Sequence, residues 1–268
     1  FAKDMNTEEV KTALNDVFNS AEVKTIGSAN QLKISTKYKV DENSAEVDQE
    51  VQQKLYEALV PFLPEATTYN QFINAENNVG KMYSGKVSPT IADDIKKSSV
   101  WAILGSLIVV FLYILLRFKK WQFSLGAVAA VFHDVLIVLG IFSISWRFLP
   151  FSMEIDQAFI AAILTVIGYS LNDTVVVFDR IREYLNEHTS WKFEKVVNSA
   201  LSSTLSRTLN TSLTTLVVLL AMFTFGADSL RGLLFALIVG VLVGTYSSLF
   251  IATPVMHDTL KRLDKKGE

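Results

Sequence analysis

The sequence predicts an α-helical membrane protein with five transmembrane helices, preceded by an extracytoplasmic α+β domain. Three observations predict it. Composition changes abruptly near residue 98, five apolar stretches follow, and the polar region before them alternates between helical and strand-like periodicity. The expected domains are residues 1–98 and 99–268.

Of the 268 residues, 50% are hydrophobic, and the mean hydropathy is +0.31. That is too apolar for an average soluble domain and too polar for a chain lying wholly in a bilayer. Residues 1–98 are rich in Lys, Glu, Asp and Asn, whereas Leu, Val, Ile, Phe and Ala dominate the rest. Such a shift marks a domain boundary. The net charge of −2 gives no global attraction to nucleic acid. Cysteine is absent, which excludes thiolate metal sites, disulfides and cysteine nucleophiles. His133, His188 and His257 are the only histidines, and their distance in sequence argues against a metal site. No nucleophile–base set or phosphate-binding loop is present, so neither enzymatic activity nor a cofactor is expected. No signal peptide is visible.

In the polar region, residues 8–19 read as an amphipathic helix, with Val10, Leu14, Val17 and Phe18 at helical spacing and Asn6 or Thr7 as its cap. A short strand over 23–26 follows. Leu32, Ile34, Thr36, Tyr38 and Val40 then alternate with Lys33, Ser35, Lys37 and Lys39, the period of a half-buried strand. Residues 27–30 form the turn between them. A second helix spans 45–62, with Val47, Val51, Leu55, Leu59 and Phe62 on one face and Pro61 and Pro64 at its end. Residues 78–91 are expected to form another strand. Helix–strand–strand–helix–strand is most of a ferredoxin-like unit whose first strand lies at or before Phe1.

A hydrocarbon core about 30 Å thick takes roughly 20 apolar residues of helix. Residues 100–116, 123–144, 159–178, 209–225 and 233–253 meet or approach that length, and Trp101, Trp121 and Trp146 stand near their ends. Arg117, Lys119, Lys120, Arg180, Arg182, Lys192, Lys195, Lys261, Arg262, Lys265 and Lys266 fall on one side, against Arg147 and Arg231 in the opposite loops. The first side is therefore read as cytoplasmic. Lys96 and Lys97 weaken that bias slightly. Residues 1–98 are then extracytoplasmic, the C-terminus is cytoplasmic, and a further span upstream of residue 1 is expected.

Ionisable residues inside a span cost about 2.5–3.5 kcal/mol on insertion scales, so each needs a reason. Asp173 lies six residues before the exit at Asp179 and Arg180, about 9 Å inside. A lone carboxylate there is paired, protonated or facing a wet cavity, as in a proton relay; the bland alternative is a hydrogen bond between helices, through Asn172. Arg207, just before the fourth span, would sit at similar depth on an antiparallel neighbour and hold Asp173 ionised, or merely snorkel to headgroups. Asp134, halfway along the second span, is a relay member or a helix–helix bond. His133 beside it faces another direction and need not pair with it, though it can titrate near neutral pH. Gly240 and Gly244 suit close helix packing. Asp156 and Asp228 read as loop residues. In the segment 181–206, Phe193, Val196, Val197, Ala200 and Leu201 suggest a stripe lying at the membrane surface.

The segment Gly168-Tyr169-Ser170-Leu171-Asn172-Asp173-Thr174-Val175-Val176-Val177-Phe178-Asp179-Arg180-Ile181-Arg182-Glu183 resembles the signature of the SecF family. His133-Asp134-Val135-Leu136, Ser206-Arg207-Thr208-Leu209-Asn210-Thr211-Ser212 and Val87-Ser88-Pro89-Thr90-Ile91-Ala92-Asp93-Asp94 continue the resemblance in order. It implies a relative of the resistance-nodulation-division transporters, with six spans and a large extracytoplasmic domain after the first. This chain lacks that first span and the Gly-rich segment after it, which suggests a fragment of a fused SecDF. The resemblance implies a SecD partner, separate or fused, and work with the SecYEG channel, with YidC and YajC, on translocating polypeptides in the bacterial inner membrane. Protons are the implied coupling ion.

Carried over by motif, Asp173 and Arg207 match the family's proton-pathway aspartate and arginine, with Asp134 and Asn172 beside them. Asp179 also lies in a family-like motif, and a further aspartate would come from SecD. The expected mechanism alternates Asp173 between an Arg207-paired carboxylate and a protonated, released form. One proton crossing 100 mV supplies about 2.3 kcal/mol for the switch. Two alternatives stand beside it. One is a small-molecule or lipid exporter of the same superfamily. The other is a non-transporting assembly subunit whose polar residues only lock helices together.

Overall fold

A computed structural model of the chain describes all residues except 20, 43, 76–77, 87–88, 147, 150, 152, 154, 228–229 and 268. Arg147, Asp228, Val87 and Ser88, which entered the readings above, lie outside the described residues. The chain forms two compact units, Phe1–Lys97 with Leu149–Ser152, and Ser98–Phe148 with Met153–Glu268.

The first unit holds α1 (Thr7–Phe18), β1 (Ala21–Ile26), β2 (Ser28–Thr36), α2 (Ala45–Leu59) and the short α3 (Tyr69–Ile73). Asn6 caps α1 by accepting from Glu8 N at 3.0 Å, and Ser44 caps α2 by accepting from Val47 N at 3.3 Å. These bonds satisfy amides that the first helical turn leaves open. The buried stripe of α1, Val10, Leu14 and Phe18, packs with Ala21 and Val23 of β1, Leu59 of α2 and Phe72 of α3. Tyr56 clamps the end of this core, its ring 5.5 Å from Phe72 and its hydroxyl donating to Thr67 O at 2.7 Å.

Three expectations for this unit change. The hairpin turns at Gly27 alone, φ 78°, and β2 begins at Ser28; a register irregularity at Ile26 absorbs the odd residue. The strand ends at Thr36, not Val40, because the chain turns over residues 38–41 and Tyr38 folds back onto Phe18, ring centroids 5.6 Å apart. Among the described residues of 78–91 no strand forms: 81–86 has no regular secondary structure, and α4 begins at Pro89. Two glycines in that stretch, Gly80 and Gly85, leave few side chains to pack against a neighbouring strand. Phe1 N donates to Asn30 O at 2.8 Å and Met5 N to Ala29 O at 3.1 Å, so the first residues run alongside β2.

The second unit is built from α4 (Pro89–Phe118), which starts before the unit boundary, α5 (Trp121–Ser145), α6 (Gln157–Glu187), α7 (Phe193–Phe225), α8 (Arg231–Ser247) and α9 (Thr253–Gly267). A π-helical turn, Ser248–Ala252, joins α8 to α9. Among the described residues, five helices are long and apolar enough to cross a membrane: Asp94–Phe118, Trp121–Ser145, Gln157–Glu187, Phe193–Phe225 and Arg231–Arg262. Lipid offers backbone groups no partners, so continuous helix is the conformation that survives there. Asp156 is the N-cap of α6, accepting from Phe159 N at 2.9 Å.

The segment 181–206 is not a loop with a surface stripe. Only residues 188–192 connect α6 and α7, and Val196, Val197 and Ala200 are buried in the protein. Lys261 of α9 donates to Glu194 at 2.7 Å, and His257 stacks on Phe193, which covers the start of α7. Hydropathy marks the apolar part of a helix, and here the helix runs on past it.

Glycines set the closest approaches. A Cβ on Gly240 would collide with Val166 of α6, and one on Gly244 would lie 2.9 Å from Ser170 Cβ. Gly126 of α5 packs against the Ala252 carbonyl and Met256 in the same way. Near the α4–α5 turn, Phe118 stacks on Phe123 at 5.1 Å, and Phe178 meets both edge-on. Arg117 donates to Asp179 Oδ2 at 2.9 Å, joining α4 to α6.

Candidate proton-pathway site

The buried residues of α6 include three polar side chains, Ser170 and, one turn on, Asp173 and Thr174. Hydroxyls come at them from α7 and α8. On α7 the buried polar positions are Thr204, Thr208 and Ser212, at i, i+4 and i+8. That spacing places one hydroxyl per turn on a single face. On α8, Thr245 and Ser247 follow Gly244 on the buried side. Small residues let these backbones approach, and the hydroxyls then bond between helices.

Asp134 of α5 is fully buried and well satisfied. Its Oδ2 accepts from Ser170 Oγ at 2.6 Å and from Ser247 Oγ at 2.8 Å, so one carboxylate ties α5 to α6 and α8. Its Oδ1 lies 3.2 Å from His133 Nδ1. The adjacent pair, expected to face apart, is thus in contact: the imidazole bends back along its own helix while staying 30% exposed.

Asp173 is the reverse case. It is 4% exposed, and among the described residues its Oδ2 has no hydrogen-bond partner. Ser212 and Arg207 of α7 are its polar neighbours. Ser212 also bonds Thr245 Oγ1, 2.5 Å away. The hydroxyls of Thr174 and Thr208, both buried, also lack partners. An unsatisfied buried polar group costs about 1–3 kcal/mol, and three such atoms lie here, Asp173 Oδ2 and Thr174 Oγ1 on α6 and Thr208 Oγ1 on α7.

Arg207 lies well inside α7, fourteen residues after its start at Phe193 (207 − 193), because the helix begins earlier than hydropathy suggests. Its side chain is exposed and forms no ion pair with Asp173. Asn172 is exposed on the opposite face of α6 and makes no bond between helices, so the expected helix-to-helix role for it is not met. One residue along a helix turns the side chain by about 100°, which sends Asp173 inward and Asn172 outward. Thus Asp173, Arg207 and Asp134 are grouped around α6, with Asn172 turned away. Asp179 is engaged by Arg117 and Arg182.

Sequence reasoning passed over Ser170, Ser212, Thr245 and Ser247. The four-residue spacing of hydroxyls on α7 is a visible signal for Ser212. Among the described residues, no group of three or more His, Asp or Glu side chains is placed to hold a metal ion.

The family profile described as "Protein export membrane protein SecD/SecF, C-terminal" matches residues 67–262, a stretch that includes α5 to α8 complete. The chain belongs to the SecF family. The protein translocase subunit SecF of Rhodothermus marinus is 48% identical over 262 residues, 97% of this chain and 79% of that protein. SecF of Vibrio alginolyticus is 37% identical over 259 residues, 94% of this chain and 73% of that protein. A crystal structure of SecDF in its super-membrane-facing form aligns with 84% of this chain and 27% of its own, at 31% identity and a TM-score of 0.62. The SecF resemblance noted from the motifs is therefore matched by a family profile, by relatives along nearly the whole chain and by a solved fold, and the protein is a multi-pass membrane protein.

Proposed function

We propose that this SecF-family chain converts the proton gradient into movement that promotes polypeptide export, with Asp173 as the group that binds the proton. The observation that carries the reading is the state of Asp173: buried at membrane depth, short of hydrogen bonds, with an arginine nearby on the next helix but not paired to it. Such a carboxyl suits exchange between a form facing Arg207 and a protonated form released from it. The change of charge in a low-dielectric site biases the packing of α6 against α7 and α8.

By analogy with the fused SecDF relative, the working partner is a SecD half, and with it the SecYEG channel, YidC and YajC. The Lys and Arg distribution supports a bacterial inner-membrane orientation with the N-terminal unit outside and α9 inside. The hairpin flanked by α1 and α2 supports a ferredoxin-like plan for that unit, and we assign it the task of passing bundle motion to the exported chain.

The test is export-coupled proton flux in vesicles holding the complete translocase. Asp173→Asn should remove both flux and stimulated export while the complex still assembles. Normal flux and export by that variant would sink the proposal and favour a purely structural subunit.

A further inference from the structure

We infer that His133 and Asp134 form a second proton-binding site in the bundle, distinct from Asp173. Its use in export rests on the proton-coupled reading above; its existence does not. Oδ2 of Asp134 already accepts from Ser170 and Ser247, which occupies both lone pairs of that oxygen. Oδ1 faces His133 Nδ1 at 3.2 Å. With Asp134 ionised, Nδ1 of the neutral imidazole carries the hydrogen that faces Oδ1, so a proton taken up here binds at Nε2, and the shared hydrogen then stays on Nδ1 or passes to Oδ1. Either way the pair passes from one negative charge to none. His133 is 30% exposed and Asp134 is 0% exposed, so the imidazole is the side by which the proton enters.

The elements packed against α5 leave this pair to itself. From α6 the titratable group on the same face is Asp173, one turn beyond Ser170. From α8 it is Tyr246, whose ring lies 6.3 Å from that of His133. The π-helical turn Ser248–Ala252 carries no titratable side chain. On α9, His257 pairs with Asp258 and stacks on Phe193, and Lys261 pairs with Glu194.

Loading has a mechanical consequence. The anionic carboxylate receives two charge-assisted hydrogen bonds, roughly twice as strong as neutral ones. Where the shared hydrogen rests on Oδ1, the carboxyl is neutral and the hold of α5 on Ser170 and Ser247 loosens. Ser170 shares the buried face of α6 with Asp173, so the two sites are linked through one helix.

The experiment is infrared difference spectroscopy of the complete complex in lipid nanodiscs, titrated with pH in an Asp173→Asn background that silences the first site. Among the carboxyl and imidazole transitions that remain, one should belong to this pair. Adding Asp134→Asn should abolish it or move its midpoint by about 1 pH unit or more, the size of effect a close ionisable neighbour exerts. Adding His133→Gln should do the same. A set of transitions that is unchanged by both substitutions overturns the inference. If Asp134→Asn fails to fold, His133→Gln carries the test by itself, because that side chain is partly exposed and makes no bond to another helix. Normal export by Asp173→Asn would sink the proposed function yet leave this result standing, so the two failures are distinguishable.

Discussion

Adding one methyl group at Gly240 should cost this protein more than most single substitutions in the bundle. The Cβ of Gly240→Ala would fall 2.7 Å from Val166 Cγ1 and 2.9 Å from Val166 Cβ, and nearer still to Cγ2. Carbon atoms in contact prefer about 3.5–4.0 Å. Turning Val166 about χ1 moves its methyls but leaves its Cβ in place, so a rotamer change relieves only part of the clash. The rest requires α8 to retreat from α6 by roughly 1 Å, and overpacking of this kind typically costs about 1–3 kcal/mol. The retreat also lengthens the bond from Ser247 of α8 to Asp134. Gly140→Ala is the control, since a Cβ there meets nothing within 4 Å. Thermal unfolding of the purified protein in one fixed lipid environment should show Gly240→Ala clearly destabilised and Gly140→Ala close to wild type. Val166→Ala combined with Gly240→Ala should recover part of the loss, as coupled neighbours do. A Gly240→Ala protein as stable as the control would refute the packing argument, and with it the register of α8 on α6.

Two further outcomes follow from single contacts. Glu50 in the N-terminal unit accepts from Lys39 Nζ and from the Tyr38 hydroxyl, both at 2.7 Å, and these bonds, with Lys54 beside them, lower its carboxyl from 4.5 to about 2. A folded-state pKa below the unfolded one stabilises above pH 4.5 and is lost as pH falls toward about 2; urea unfolding followed by tyrosine fluorescence should show that decline, and Glu50→Gln should flatten it. Ser212→Ala removes the 2.5 Å contact to Thr245, and an interhelical bond of this kind is worth about 0.6–1.7 kcal/mol. Thermal stability should fall by no more than that, while export falls further, because Ser212 is also a polar neighbour of Asp173; export that follows stability alone would remove Ser212 from the site.

The spans, the hairpin and the motifs around Asp134, Asp173 and Arg207 were legible because they are local. Apolar length, period-two alternation and helix caps depend on residues within a turn or two of one another. Where a signal needed a distant partner, it failed. Residues 78–91 alternate weakly, and no neighbouring strand pairs with the described part of them. Hydropathy placed the start of the fourth span near Leu209, whereas α7 begins at Phe193 because Val196, Val197 and Ala200 find protein to pack on.

The same division holds at the candidate site. Sequence by itself placed Asp134 and Asp173 within spans and Arg207 just before one, since depth along a helix is a count of residues at 1.5 Å each. It could not rank them, because burial and satisfaction depend on which faces meet. Only the tertiary structure decided that Asp134 is held by two serines from two other helices, that Asp173 one turn beyond Ser170 is left short of partners, and that Asn172 points away. Those outcomes turn on the approach of α8 to α6 at Gly240 and Gly244, where a hydroxyl finds a carboxylate 113 residues away in the chain.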